Sequence, residues 1–394
     1  MNPTPSNTPL RSDLQCYPSA LENTSRVRKT IDSLIDLGLV DRVYFWGTTP
    51  KTPDNTYEGQ PQKVFLQSKL PSGYRPKMRE SYAQFFAVSV ALIGYYLGII
   101  GQAIWLKPDF ITCRKVDLLP FGLVAKWLCG KKTRLIYAPH ELESEKTGLS
   151  NWVKKAFKII EKGCLPFVHH TIVVCEPIAD WYKATYQIES ISVVRNIPKI
   201  AAAPVIPVPL KALFGIPPES TLFIYQGILA EARGTKLLLE VFSSAPADKH
   251  LVMMGFGVLQ AAVEQMAHVH PNIHFLPGVP VDQIIAHTAG ADVGIFVTEK
   301  DYSLSYRYSL PNKFHEYLLA GLPIITSPTL EYIAGLIEKN SLGWVVSSDA
   351  GGMETFVRNF RKEDISVKTE HIKKFRANLD WKNEEQSFIK AYSG

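Results

Sequence analysis

Residues 305–327 read SYRYSLPNKFHEYLLAGLPIITS, a loop, a helix, a turn and a strand within 23 positions. The loop carries Pro311 and leads into a helix expected over 313–319, closed by Ala320-Gly321, after which 323–326 is a short apolar strand. The same alternation runs outward in both directions. Further strands are expected at 222–226, 250–254, 273–276, 293–296 and 343–346, with helices between them, such as 235–242. Towards the N-terminus the strands fall at 14–17, 43–46, 110–113, 134–138, 171–175 and 192–195, with helices at 26–37, 119–128 and 178–186. Short apolar strands alternating with helices indicate βαβ units and parallel sheets. The segment 198–209 holds four prolines and three alanines and reads as a link. The fold class is therefore α/β, with two consecutive Rossmann-like, doubly wound domains, 1–197 and 210–375, and an amphipathic helix at 381–392 inside a final segment 376–394.

The 394 residues are 46% hydrophobic and 20% charged, ordinary globular composition with room for two cores. The start, MNPTPSNTPLRSD, has no apolar core of a secretory signal, so a cytoplasmic protein is expected. Five cysteines form no CxxC pair, which argues against a disulfide framework or structural zinc. Charge is uneven: 25 Lys and Arg stand against 17 Asp and Glu up to Ile197, and 18 against 20 beyond it. A basic first half suits an anionic partner. Without a dense basic tract, zinc finger or RNP-like strand, no nucleic acid is expected, and an anionic membrane surface is the better candidate.

Two segments bear on that surface. The run 84–105 has 22 residues without a charge, long enough to span a bilayer. One crossing would put strands of a single sheet on opposite sides of the membrane. Gln84, Gln102 and the glycines Gly94, Gly98 and Gly101 suit a packed helix, so a core or interfacial helix is expected. The stretch NWVKKAFKIIEKGCL, residues 151–165, sets Trp152, Phe157, Ile159 and Ile160 among Lys154, Lys155, Lys158 and Lys162. It fits docking on anionic lipid at the cytoplasmic face of a membrane, and equally an amphipathic helix with a solvated basic face.

In doubly wound sheets ligands gather at the carboxyl ends of the strands, near helix N-termini, where free N–H groups bind phosphate without metal. Residues 226–234, QGILAEARG, end a strand and open a helix; Gly227 allows close backbone approach, and Arg233 offers a fork of donors or is a plain surface arginine. In the opening stretch, Asn312 and Lys313 start a helix, and Glu316 one turn in can accept two hydrogen bonds from a ribose diol or simply complement the helix dipole. His140 follows the strand 134–138, where a sugar hydroxyl or a departing phosphate is within its repertoire; a loop histidine is also often incidental. His169-His170 lacks a third ligand at zinc spacing and reads as structural. Met254-Gly255-Phe256-Gly257 lacks the third glycine of a dinucleotide fingerprint.

Taken together these stretches resemble the retaining GT-B glycosyltransferases of family 4, in particular those that assemble bacterial surface polysaccharides. The likeness runs through SRVRK (25–29), PDFITCRKVDLLPFG (108–122), RLIYAPHELE (134–143), TIVVCEPIADWY (171–182), VVRNIP (193–198), YQGILAEARG (225–234) and the stretch 305–327. It implies two domains facing a cleft and a C-terminal helix crossing back to the first domain. It also implies a transferase that moves a sugar from a nucleotide-diphosphate-sugar to a glycan or lipid-linked acceptor with retention of configuration, without metal or other cofactor. By the resemblance, His140, Arg233 and Glu316 carry the chemistry, and the donor is held by Gly227, Arg233, Gly255, Tyr308, Leu310, Pro311, Asn312, Lys313 and Glu316. Glu316 matches the second acid of the family's E-x7-E motif and Arg233 the cation on the diphosphate. Three departures stand out: Tyr308 in place of the first acid, Ile228 where a Gly-Arg pair is frequent, and a first strand without a glycine-rich loop. A nucleotide-sugar 2-epimerase of the same fold, or a non-catalytic partner subunit, are the alternative readings.

Overall fold

The computed structural model describes residues 10–20, 24–49, 59–71, 82–199, 205–298 and 303–393. The chain divides into two compact units, Met1–Val194 with Glu384–Gly394, and Arg195–Asn383. Of the proline-rich link, 200–204 lie outside the described residues, and 205–209 run without regular structure into the next helix.

The first unit is built on β1 (Ser12–Cys16), α1 (Ser25–Asp36), β2 (Arg42–Thr49), β3 (Lys63–Pro71), α2 (Tyr82–Leu106), β4 (Phe110–Cys113), α3 (Leu119–Cys129), β5 (Arg134–Tyr137), α4 (Asn151–Cys164), β6 (His170–Val173), α5 (Glu176–Tyr186) and β7 (Ile191–Val193). Its seven strands pair in parallel in the order β3-β2-β1-β4-β5-β6-β7. Central strands such as β4 are buried at every position, which is why they read as unbroken apolar runs. β3 was not visible that way. It is the edge strand, its KVFLQSKLP mixes polar and apolar residues, and of Lys63 to Leu70 only Ser68 and Leu70 are buried.

The second unit contains α6 (Leu210–Leu213), β8 (Thr221–Ile228), α7 (Thr235–Ser243), β9 (Lys249–Phe256), α8 (Gln260–Val269), β10 (Ile273–Pro277), α9 (Ile284–Thr288), β11 (Val293–Phe296), α10 (Leu304–Arg307), α11 (Asn312–Leu319), β12 (Ile324–Thr326), α12 (Glu331–Asn340), β13 (Gly343–Val345), α13 (Ala350–Asn359), α14 (Asp364–Arg376) and the start of α15 (Trp381–Tyr392). Its parallel sheet has the order β10-β9-β8-β11-β12-β13. Strand order reverses between β8 and β11, the place where an open sheet offers a crevice.

From Glu384 onward α15 belongs to the first unit. Tyr392 fixes it there. Its hydroxyl donates to Asp13 Oδ2 at 2.8 Å and lies 3.0 Å from Thr112 Oγ1, and Arg11 Nη2 donates to its carbonyl at 2.6 Å. Ser33 on α1 donates to Glu385 at 2.6 Å. His170 is structural, its ring held between the hydroxyls of Ser190 and Ser192 at 2.8 and 3.0 Å. None of the five cysteines is in a disulfide.

The apolar run 84–105 forms α2 but is not a core helix. Of the stretch Ser89–Leu106, long and apolar enough to cross a membrane, only 17% is buried. One stripe, Tyr95, Ile99 and Ala103, faces the sheet, because Gly98 admits the Trp46 indole where a Cβ would lie 2.3 Å from Cζ2. Trp46 Nε1 donates to the Tyr95 carbonyl at 3.0 Å, and the Tyr95 hydroxyl donates to the Trp46 carbonyl at 3.1 Å.

Burial pushes the Asp13 carboxyl up to about 6, against the opposing pull of the Tyr392 hydroxyl and its other donors. A raised folded value means that the buried charge costs stability above pH 6 and the cost vanishes towards pH 4. Tyr392→Phe is expected to weaken α15 docking by about 1–3 kcal/mol at pH 8, and by less at pH 5. Hydrogen exchange across residues 384–393 at the two pH values checks this.

Candidate functional site

The site is built where β8 and β11 part. Their ladder ends at Ile224 and Gly294. Beyond it Tyr317 of α11 enters from the helix side, its hydroxyl accepting the Gln226 N–H at 3.2 Å and donating to the Ile295 carbonyl at 3.2 Å. Only glycine at 294 permits this, since a Cβ would sit 2.6 Å from the Tyr317 ring. The N-terminus of α11 is thereby held over the carboxyl ends of β8 and β9, and no side chain caps it. A cavity of about 390 Å³ lies there, bounded by Gly227, Gly255, Arg233, Pro311, Asn312, Lys313 and Glu316 together with Gln226, Ile228, Met254, Phe256, Gly278, Val279 and Ile284.

Three features set its chemistry. The first is Lys313. It is buried, its ammonium 4.3 Å from the Tyr225 ring centre and 4.5 Å from that of Phe296, and Nζ has no hydrogen-bond partner among the described residues. Burial and then Arg233 lower its pKa to about 7, with Glu316 pulling the other way. A buried cation without a hydrogen-bond partner is costly unless an anion joins it. The second is Arg233, half-buried, with its guanidinium 5.2 Å from the Tyr306 ring centre. It ends a single 3-10 turn, Glu231–Arg233, and Gly234 follows at φ +72°, turning the chain into α7 where a Cβ would meet the Val297 carbonyl at 2.5 Å. The third is Glu316, buried, whose Oε2 accepts from Gln226 Nε2 at 2.5 Å; the Gln226 amide oxygen faces the Thr288 hydroxyl.

Met254-Gly255-Phe256-Gly257 serves close approach and not a dinucleotide turn. A Cβ at Gly255 would lie 1.8 Å from the Gly227 carbonyl, and one at Gly257 2.3 Å from that of Leu229. Gly227 in turn faces Lys313, whose Nζ would be 3.3 Å from an added Cβ.

Gly227, Arg233, Gly255, Pro311, Asn312, Lys313 and Glu316 thus surround one cavity. Tyr308 and Leu310 do not border it: Leu310 turns into the core, and Tyr308 closes the short α10, its N–H donating to the Leu304 carbonyl at 3.1 Å. His140 belongs to the first unit. Its ring lies 4.8 Å from that of Tyr17 and its Nε2 3.4 Å from Arg114 Nη1. Burial, with Arg26 and Arg114 nearby, holds it well below the usual histidine range. A guanidinium can only donate, so Nε2 accepts and the proton sits on Nδ1. Gln226 opens the stretch 226–234 but carries no role of its own in the sequence reading, and the segment Pro277-Gly278-Val279-Pro280, with its Pro/Gly signal at the end of β10, is absent from it. Among the described residues no cluster of His, Cys, Asp and Glu is placed to hold a metal.

Similarity to known proteins bears on the fold. Residues 241–384 match the family model for the Glucosyltransferase 3-like C-terminal domain. Sucrose-phosphate synthase from Thermosynechococcus elongatus superposes with a TM-score of 0.70 at 13% identity, over 97% of this chain and 98% of that one. HepE from Anabaena, solved with UDP and glucose, gives 0.68 at 12% identity over 97% and 99%. The chain has the GT-B fold. WaaG, a glycosyltransferase involved in lipopolysaccharide biosynthesis, gives 0.63 at 14% identity over 97% and 100%. No curated protein matches the chain in sequence. In a GT-B fold, built from two doubly wound sheets, the cavity at the β8/β11 switch point belongs to the second one.

Because Lys313 is held far below its free value of 10.5, the folded state carries a penalty that is largest below pH 7 and shrinks as pH rises towards 10.5. Lys313→Met, close in volume and apolar, is expected to raise the stability of the second unit by about 1–3 kcal/mol at pH 6. Thermal melts at pH 6 and pH 9 check this, with the smaller gain at pH 9.

Proposed function

We propose that the protein is a glycosyltransferase that takes a sugar from a nucleotide-diphosphate-sugar, UDP-glucose in the first instance, and passes it with retention of configuration to a hydroxyl of a glycan or lipid-linked acceptor. The observation that carries this is the Lys313 ammonium, buried without a hydrogen-bond partner among the described residues, at the N-terminus of α11 and opposite Gly227. A diphosphate supplies the missing anion, and the Asn312 and Lys313 amides lie at the positive end of the helix. Glu316, aligned by Gln226, accepts the two ribose hydroxyls. The glucose complexes of HepE and the Glucosyltransferase 3-like match support UDP-glucose as the donor to try first.

In this reading the bond from the anomeric carbon to the diphosphate oxygen breaks while the acceptor hydroxyl adds on the same face. The departing phosphate takes the acceptor proton, so no protein base is required. Arg233, Lys313 and the α11 N-terminus stabilise the charge that grows on the leaving group, fixed before the reaction begins. Two cations and a helix N-terminus suffice to neutralise a diphosphate, which is why the reading needs no metal. His140, neutral with its proton on Nδ1, is assigned to a sugar hydroxyl.

Glu316→Ala and Arg233→Ala are each expected to reduce glucosyl transfer about a hundredfold while the melting temperature of the ligand-free protein stays near that of wild type. Near-normal turnover in either variant removes that residue from the site. A melting-temperature screen of UDP-, GDP-, ADP- and CMP-sugars in the presence of chelator tests the donor class, since a ligand that binds the native state raises its stability. Anion binding should also pull Lys313 back to its charged form. UDP-glucose binding at pH 8 is therefore expected to take up about one proton, seen as a dependence of calorimetric heat on buffer. Lys313→Met abolishes that uptake.

A further inference from the structure

One side of the first unit carries an apolar face that is exposed among the described residues. On this side α2, α3 and α4 lie next to one another, α3 between the other two. Beyond its single buried stripe, α2 shows Ile93, Leu97 and Trp105 at 58, 56 and 74% exposure. The end of α3 continues this face with exposed Trp127 and Leu128. The Cys129 thiol meets the Ala103 carbonyl at 3.2 Å, which sets the ends of the two helices side by side. Single exposed apolar side chains are ordinary, but a run of them across neighbouring helices marks an interaction surface.

The charges around this face identify the partner. Lys107 follows α2 and Lys131 and Lys132 follow α3, all exposed. Along α4, Trp152, Lys155, Ile159 and Lys162 are exposed at helical spacing and form one stripe. Acidic groups on or next to these helices are occupied: Asp117, just before α3, accepts the Tyr96 hydroxyl at 2.6 Å, Glu145 pairs with Lys154 and Lys158, and Glu161 is buried under the hydroxyls of Tyr137, Tyr182 and Tyr186. A second copy placed face to face would oppose lysine to lysine. Tryptophan and aliphatic side chains rimmed by lysine are instead the chemistry of the boundary between headgroups and acyl chains in an anionic bilayer.

The topology restricts how deep the helix can go. β3 before α2 and β4 after it are strands of one sheet, and the Trp46–Tyr95 bonds hold the inner face of α2 to that sheet. We propose that the first unit docks on an anionic lipid surface through the exposed faces of α2, α3 and α4, with α2 lying along the interface and only its outer side in lipid. This surface stands independently of the donor cavity, so its test requires neither donor nor turnover.

The full-length protein is expected to float with vesicles of phosphatidylcholine and phosphatidylglycerol at low salt and to float less with phosphatidylcholine alone. Acyl-brominated lipid should quench its tryptophan fluorescence. Leu97→Gln with Trp105→Gln, both at exposed positions, should lower the vesicle-bound fraction about tenfold with an unchanged melting temperature. Lys131→Glu with Lys132→Glu should restrict binding chiefly on anionic vesicles. Absence of flotation at low salt, or equal flotation by the apolar double variant, overturns the proposal. A stable dimer in light scattering whose tryptophans are not quenched assigns the face to a second copy and also overturns it. Retention in carbonate-washed membranes overturns the flat arrangement in favour of a crossing helix.

Discussion

The second unit turns on one hydroxyl. Where β8 and β11 separate, their edge groups lose each other as partners, and an open crevice between two buried strands would strand polar backbone. Tyr317 takes both sides, accepting from Gln226 and donating to Ile295. Its ring has room because residue 294 is glycine. That contact sets the height of α11 above the strand ends, and through α11 the positions of Asn312, Lys313 and Glu316. The cavity therefore exists because the sheet reverses its order at this point, and it is polar because α11 begins there.

Two buried ionisable groups show how the molecule distributes its costs. Asp13 in the first unit is surrounded by donors from Tyr392, Gln15 and Thr112, and its burial is offset by fastening α15. Lys313 in the second unit has aromatic faces and, among the described residues, no hydrogen-bond partner. The first arrangement is that of a structural strut. The second is that of a site whose stability is set lower than its packing would allow, the pattern expected where a ligand is to supply the partner, as the proposed diphosphate would. The same contrast separates His170, satisfied on both nitrogens, from His140, which faces cations.

The first unit differs in what it leaves uncovered. A doubly wound sheet needs helices on both faces, and α2 meets that need with one stripe of three residues. Its remaining apolar surface is more than the fold uses. That excess, beside lysines and not acids, is the physical basis for assigning the face to lipid.

Much of this protein was legible in order along the chain. Buried parallel strands are continuous apolar runs, so β4, β11 and their neighbours could be read directly, as could the helix that opens at Pro311-Asn312-Lys313 and the glycines beside it. Those signals are local: side-chain periodicity and backbone freedom act over a few residues. The edge strand β3, whose KVFLQSKLP neither alternates nor forms one apolar run, escaped for the same reason. What only the tertiary structure decided are the long-range pairings. Gln226 and Glu316 lie 90 positions apart, and Tyr392 reaches Asp13 across 379. Periodicity also could not tell which side of α2 would be buried, since nearly every side is apolar; Trp46 fitting against Gly98 settles that. In sequence Lys313 reads as a donor-holding residue at a helix start, and only the rings of Tyr225 and Phe296 show that its side chain is a buried cation. Local physics determines what each segment is, whereas burial and partnership depend on which segments meet.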